Sequence, residues 1–262
     1  MFNRKRFFFS RKIININSMK RKVLVSNAIF FIGLWFSIQL FGNNRVVIDG
    51  SISEMEFMDR QDIEEIEFTA DCNVTEIPDY AFLGCTSLRK VILPDGLKKI
   101  GFQAFSECKS LEEINLPAGL EDIGSNAFAY CTSLDNIKFP DSLKHIGHNA
   151  FSFCDSLREV MLPDNIEEIE SYAFSDCASL TKVRLPANGS LLGELILNCC
   201  NNMKELIEPS PNVPKFDCES CIFDPEDAEL YNNCVLKVLD ISKDGYNVSK
   251  SWHKFNRIVT ID

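Results

Sequence analysis

Eleven cysteines are the residues whose types and spacing first suggest chemistry. Cys218-Glu-Ser-Cys221 is a CxxC pair, and Cys199-Cys200 lies upstream of it. Such a pair can be half of a tetrahedral zinc site, which needs four convergent ligands. It can also be a redox couple, which needs a βαβ setting. No βαβ pattern surrounds it, and Cys200 belongs to another series, so a local disulfide or reduced thiols is the simpler expectation. That other series is Cys85, Cys108, Cys131, Cys154, Cys177 and Cys200, each 23 residues after the last. Six equivalent cysteines make a column rather than a site. Small buried thiols pack well in such a column, and side chains held parallel in a ladder are poorly placed for disulfides. The series is therefore expected to be free.

The other reactive residue types dissolve into the same period. Ser87, Ser110, Ser133, Ser156 and Ser179 are 23 apart and are expected to satisfy turn backbone rather than to attack substrates. Glu112/Glu113 and Glu167/Glu168 occupy repeated outward positions, whereas a glycosidase needs two carboxylates across a pocket. His145 and His148 share one repeat with acids such as Asp122 and Glu168, and a solvated surface is the expected setting. No glycine-rich phosphate loop is present. No catalytic residue, metal or cofactor is expected.

The element that positions all of these is one 23-residue unit beginning at Ala81, Ala104, Ala127, Ala150 and Ala173. In most copies it reads Ala-Phe-x-x-Cys-x-Ser-Leu-x-x-(Val/Ile)-x-(Leu/Phe)-Pro-x-x-(Leu/Ile)-x-x-Ile-Gly. A period without insertions means a solenoid, in which no unit closes its own core. Within a unit, Val91 and Leu93 face inward from a short strand, because side chains alternate. Pro94 ends that strand, since proline cannot donate to the ladder. A second short segment carries Leu97 and Ile100. Gly101, Gly124 and Gly147 then suit a tight corner where φ can be positive, although Glu170 breaks this column. Ala-Phe-x-x-Cys reads as a single helical or 3₁₀ turn. Phe82, Phe105, Phe128, Phe151 and Phe174 should stack in the core.

Composition bounds the partners. Residues 1–44 hold eight of the 27 Lys and Arg and no acid, leaving 19 bases against 38 acids in the remainder. Such a body repels phosphate backbones, so nucleic acid is an unfavourable partner. Met19-Lys20-Arg21-Lys22 followed by the mostly apolar Val23–Phe41 has the layout of a secretory signal. Either a signal cleaved near Gly42 or an uncleaved anchor is expected, with Met19 an alternative start. The remaining expected divisions are an irregular first coil over 45–80, repeats over 81–206 and a C-terminal cap over 207–262. In the first of these, Ile63–Phe68 resembles the strand and Val74 with Ile77 the second segment.

These residues resemble the BspA-type (Treponema pallidum-type) leucine-rich repeat, over roughly Ile63 to Leu206. The C-terminal Leu236-Lys237-Val238, Tyr246, Trp252, Phe255 and Ile258 resemble the terminal segment of such proteins in Bacteroides-like bacteria, with Leu239 where the family has proline. The resemblance implies a leucine-rich repeat β solenoid: a curved parallel sheet on one side, short second strands and helical or 3₁₀ turns on the others. It further implies export to the cell surface or release, and adhesion to host or bacterial surface proteins or glycans without catalysis. An accessory protein for carbohydrate binding in the periplasm or outer membrane, and a structural spacer, are the alternatives. A ligand on the strand face would meet the outward column Ile92, Asn115, Lys138, Met161 and Arg184. Phe102 and Tyr172, expected to be exposed, are a second candidate surface.

Overall fold

The computed structural model describes residues 22–24, 40–41, 44–188, 191–212, 222–224, 226–248, 252 and 254–261. Each repeat makes one coil, and the first side of every coil but one among the described residues is a parallel strand. Arg45–Asp49, Glu65–Phe68, Lys90–Ile92 and Glu113–Asn115 pair in that order. Glu159–Met161, Lys182–Arg184, Glu205–Glu208, Val235–Leu239 and Arg257–Ile261 continue the same face as a second sheet. Register puts equivalent residues side by side, so opposite charges meet across coils. Arg89 pairs with Glu112 at 3.1 Å and Lys98 with Glu121 at 2.9 Å. Lys90 pairs with Glu113, and Lys144 with Glu167 at 3.7 Å. All these groups are exposed, so they serve register and solubility more than stability.

The second side is a ladder of two-residue strands from Glu76–Ile77 to Leu191–Leu192, each burying one isoleucine or leucine more than its partner. The glycines at its corners are needed for a different reason than positive φ. Only Gly50 and Gly84 have positive φ among the described glycines. At Gly101 an added Cβ would lie 2.7 Å from the Asp79 nitrogen, and at Gly147 2.5 Å from the Ser125 nitrogen. Adjacent backbones approach too closely for a side chain on that side.

The third side, Ala-Phe-x-x-Cys, turns through i→i+3 backbone bonds such as Ser106 N–H to Gln103 and Cys108 N–H to Phe105, both 3.2 Å. Alternate amides instead bond to the next coil, as Phe105 does to Ala127 and Glu107 to Ala129, both at 2.8 Å. This alternation requires two left-handed residues per coil, one before Ala and one before Cys. Gln103 and Glu107 are one such pair, at φ 51 and 60. Bulky residues seldom adopt this conformation, yet Tyr130 and Phe153 do, at φ 62 and 58. Their rings stack at 4.6 Å.

Inside, the phenylalanines stack as one column. Phe57, from the first coil, lies 5.2 Å from Phe82, and the series runs on through Phe105, Phe128, Phe151 and Phe174 at 5.1–5.3 Å. The cysteine column beside it is free and buried. Each thiol donates to the phenylalanine carbonyl of the preceding coil: Cys108 to Phe82, Cys131 to Phe105, Cys154 to Phe128, Cys177 to Phe151 and Cys200 to Phe174, at 3.2–3.3 Å. Cys85 does the same to Phe57 at 3.0 Å. Burial pushes the Cys85 thiol up to about 12 and Cys108, Cys131 and Cys154 well above the usual thiol range. Thiols so held are poor nucleophiles. The column thus gives a second donor to carbonyls such as those of Phe82, Phe105 and Phe128, which already accept a turn amide, a role for cysteine beyond its size.

The C-terminal residues lengthen the strand face by two strands and cover the last coil. The helix Ala228–Asn233 is capped by the Asp227 side chain, which accepts from Leu230 N–H at 2.9 Å. Tyr246, Trp252 and Phe255 are buried together. Leu239 stands at φ −65, the value proline would impose, so its side chain leaves the turn unchanged.

Candidate functional site

The strand ladder is regular except in one coil. Residues 136–138 form no strand pairing with either neighbouring coil among the described residues, and the face divides there into two sheets. Two local features account for the gap. Asp135 and Asn136 are poor strand formers. Phe139 stands where the other coils have Leu93, Leu116, Leu162 and Leu185. Its larger ring leans toward the C-terminal coils, meeting Phe151 edge-on at 5.5 Å and Phe174 at 6.2 Å. Ile114 and Leu116 on the other flank are consequently only partly buried, whereas Val91, Leu93, Val160 and Leu162 are buried.

The result is a recess of about 620 Å³ on the strand face. Ile114 and Leu116 belong to its apolar lining, with Lys90, Ile92, Glu112, Glu113, Asn115, Asp135, Asn136 and Lys138 around them. Of the outward column, Ile92, Asn115 and Lys138 line it together. Met161 and Arg184 lie beyond the gap, on Glu159–Met161 and Lys182–Arg184. Met161 is 43% exposed and Ile92 38%, so both present apolar surface. Asn115 and Arg184 are already engaged with backbone of the preceding coil, at Leu93 and Leu162.

Phe102 and Tyr172 lie on a different side of the coils. Contrary to expectation, both are half-buried. Phe102 packs edge-on against Tyr80 at 5.2 Å, and Tyr172 against His148 at 5.6 Å. Neighbouring aromatic rings cover surface that spacing alone suggested was free. The residues that sequence reasoning passed over are Asp135, Asn136 and the exposed flank of Leu116. The signal for them was present: phenylalanine in a leucine column after two poor strand formers.

His145 joins three coils. Its Nδ1 lies 2.9 Å from Asp122 Oδ1 and its Nε2 3.0 Å from Glu170 Oε1. Glu170, not the anticipated Glu168, is the partner, because Glu170 occupies the glycine column over Gly147 and its other oxygen accepts from His148 N–H at 2.8 Å. Burial works against the charged imidazole, but the hydrogen bonds and charges of Asp122 and Glu170 outweigh it and raise its pKa above the ordinary value. A raised histidine pKa adds stability that is fully present below the unfolded pKa of about 6.5 and is lost as pH rises through the folded value. His145→Gln should therefore lower the melting temperature at pH 5.5 by more than at pH 9. An equal loss at both would show that the imidazole bridges as a neutral group. Both ring nitrogens are taken by carboxylates, and among the described residues no cluster of His, Cys, Asp and Glu is arranged to hold a metal. Cys218 and Cys221 lie outside the described residues.

Comparison with known proteins agrees with this architecture. The family model of the BspA type leucine rich repeat region matches residues 50–160 and 121–217. The crystal structure of the T. pallidum leucine rich repeat protein is 35% identical, with 65% of this chain and 78% of that one covered and a TM-score of 0.54. A leucine-rich repeat protein from Bacteroides ovatus shares the fold at 22% identity, with 84% of this chain covered and a TM-score of 0.51. This chain spans 64% of that protein's length. No curated protein matches significantly. With repeats matched over more than half of its length, and the same coil geometry in a solved relative, the chain belongs to the BspA-type leucine-rich repeat family.

Proposed function

We propose that this protein is an exported, non-catalytic binding module that holds a surface protein or glycan on its strand face. The observation that carries the reading is the recess at residues 136–138, the one interruption of the strand ladder among the described repeats, where Ile92, Asn115 and Lys138 converge. A repeat scaffold presents such a surface on rigid elements, and binding there needs no catalytic group. The basic cluster at Met19–Lys22 with the apolar run after it supports export. Among the described residues no helix is long and apolar enough to cross a membrane.

The test is a binding screen of the full chain against immobilised matrix proteins and glycans, followed by the double variant Ile92→Asp, Met161→Asp. At least a tenfold loss of affinity is expected, because two charges replace the exposed apolar side chains of the face. Mass spectrometry of the protein recovered from the cell envelope or medium should find a mature N-terminus near Gly42. Retained binding in the double variant would move the function off the strand face. No bound partner, with turnover of a screened substrate, would overturn the reading.

A further inference from the structure

The ends of the strands show how this fold completes its ladder. At Leu93 the Asn115 carboxamide does both jobs: Oδ1 accepts from Leu93 N–H at 2.8 Å, and Nδ2 donates to its carbonyl at 3.4 Å. At Leu162 the amide donates to the Arg184 carbonyl at 3.1 Å, and the Arg184 guanidinium donates to the Leu162 carbonyl at 2.8 Å. Leu185 N–H is likewise taken, by the Ile207 carbonyl at 2.8 Å.

Among the described residues Leu116 is the exception at its N–H, while its C=O is open like that of Leu185. The residue that should serve it, 22 positions on as Asn115 is from Leu93, is Lys138. Lysine has no acceptor atom, its backbone has withdrawn with the gap, and Lys138 is exposed. Among the described residues neither the N–H nor the C=O of Leu116 has a partner, and the same holds for Asn136, Ile137 and Lys138. Ile137 is only 5% exposed. A main-chain group that a docked partner shields from water costs about 1–3 kcal/mol if left unpaired, so a partner lying over the recess must supply an acceptor for the Leu116 N–H and a donor for its C=O.

We propose that this opening is the docking position of an extended peptide segment carrying an Asn or Gln side chain. Its carboxamide completes the strand end at Leu116 as Asn115 completes the one at Leu93. The inference rests on the strand face being the binding surface and names the class of partner it takes. The partner's main chain runs over the recess, with an apolar neighbour against Ile92 and Ile114. A glycan fits less well: sugar rings favour an aromatic plane to lie on, and the recess lining has none.

Selection of a phage-displayed random peptide library on the full chain tests this. Enriched peptides should share an Asn or Gln, and its replacement by Asp or Glu should weaken binding at least tenfold. Binding should slow hydrogen exchange at the Leu116 amide at least tenfold, a direct reading of the new bond. Lys138→Asn places a carboxamide at the spacing Asn115 uses. That variant should protect Leu116 without peptide and weaken peptide binding at least tenfold. Phe139→Leu should do the same by closing the ladder. Peptides without a carboxamide, unchanged exchange at Leu116, or full affinity in both variants would each overturn the proposal. Glycans that map to the recess while no peptide is enriched would assign it to sugars, overturning the proposal while leaving the binding function intact.

Discussion

Phe128→Ala should destabilise the protein by about 3–5 kcal/mol, the range for removing a fully buried aromatic side chain from a core. The ring is fully buried and lies between Phe105 at 5.3 Å and Phe151 at 5.1 Å, with interplanar angles of 5° and 8°. Truncation opens a void in the middle of the column, and the coils cannot close over it, because backbone bonds on the second and third sides fix their spacing. Phe57→Ala should cost less, since that ring has one stacked neighbour, Phe82. Urea unfolding of both variants measures this. A loss below about 1.5 kcal/mol at Phe128 would show that the column is not the core, because cavity-forming substitutions there cost more. Solenoid stability is a sum of coil and interface terms. A biphasic transition in the Phe128 variant would therefore place the break between the array's halves.

Glu208→Gln should stabilise the protein, by an amount that grows as pH rises from 4.5 to about 8. Glu208 falls in the inward column of Leu93, Leu162 and Leu185 and is 1% exposed. Its Oε1 accepts from Ser210 N–H at 3.2 Å, while Oε2 has no partner among the described residues. Burial raises the carboxyl from 4.5 to about 8, against the smaller opposing effects of the Ser210 amide and Arg184. The sign follows from proton uptake: between those two values the folded chain holds a proton that the unfolded chain has released. The stability tied to this proton is fully present below pH 4.5 and is lost as pH rises through 8. Gln mimics the protonated form. The variant should match the wild type near pH 4.5 and exceed it by several kcal/mol, on the order of 3–5, above pH 8.5. Melting curves across that range check it. A pH-independent difference would mean that the carboxylate has a partner in the folded protein.

How much of this was legible in the sequence differs between columns and coils. The 23-residue period identified the inward residues, the free cysteine series and the charge pairs, because stacking equivalent coils places every residue beside its own counterpart. Arg89 with Glu112 and Lys98 with Glu121 are paired in the folded chain as their columns implied. The glycine column was visible, but its cause was not. Close approach of the Gly101 and Asp79 backbones is a property of two coils, not of either one. Tyr130 and Phe153 gave no sign of their positive φ, since intrinsic preference argues against it and the bonds to Ser152 and Ser175 of the next coil decide it.

The sequence by itself therefore determined the architecture: a repeated pattern of buried positions leaves one way for the coils to share a core. Tertiary structure decided where along the candidate face the ladder opens. Whether a strand pairs depends on how its coil packs against its neighbours, and the ring of Phe139, in the unpaired coil next to Leu116, turns toward Phe151 and Phe174. Regularity is encoded locally and can be read from one unit. An interruption depends on how three coils divide the space between them, and that division exists only in the folded chain.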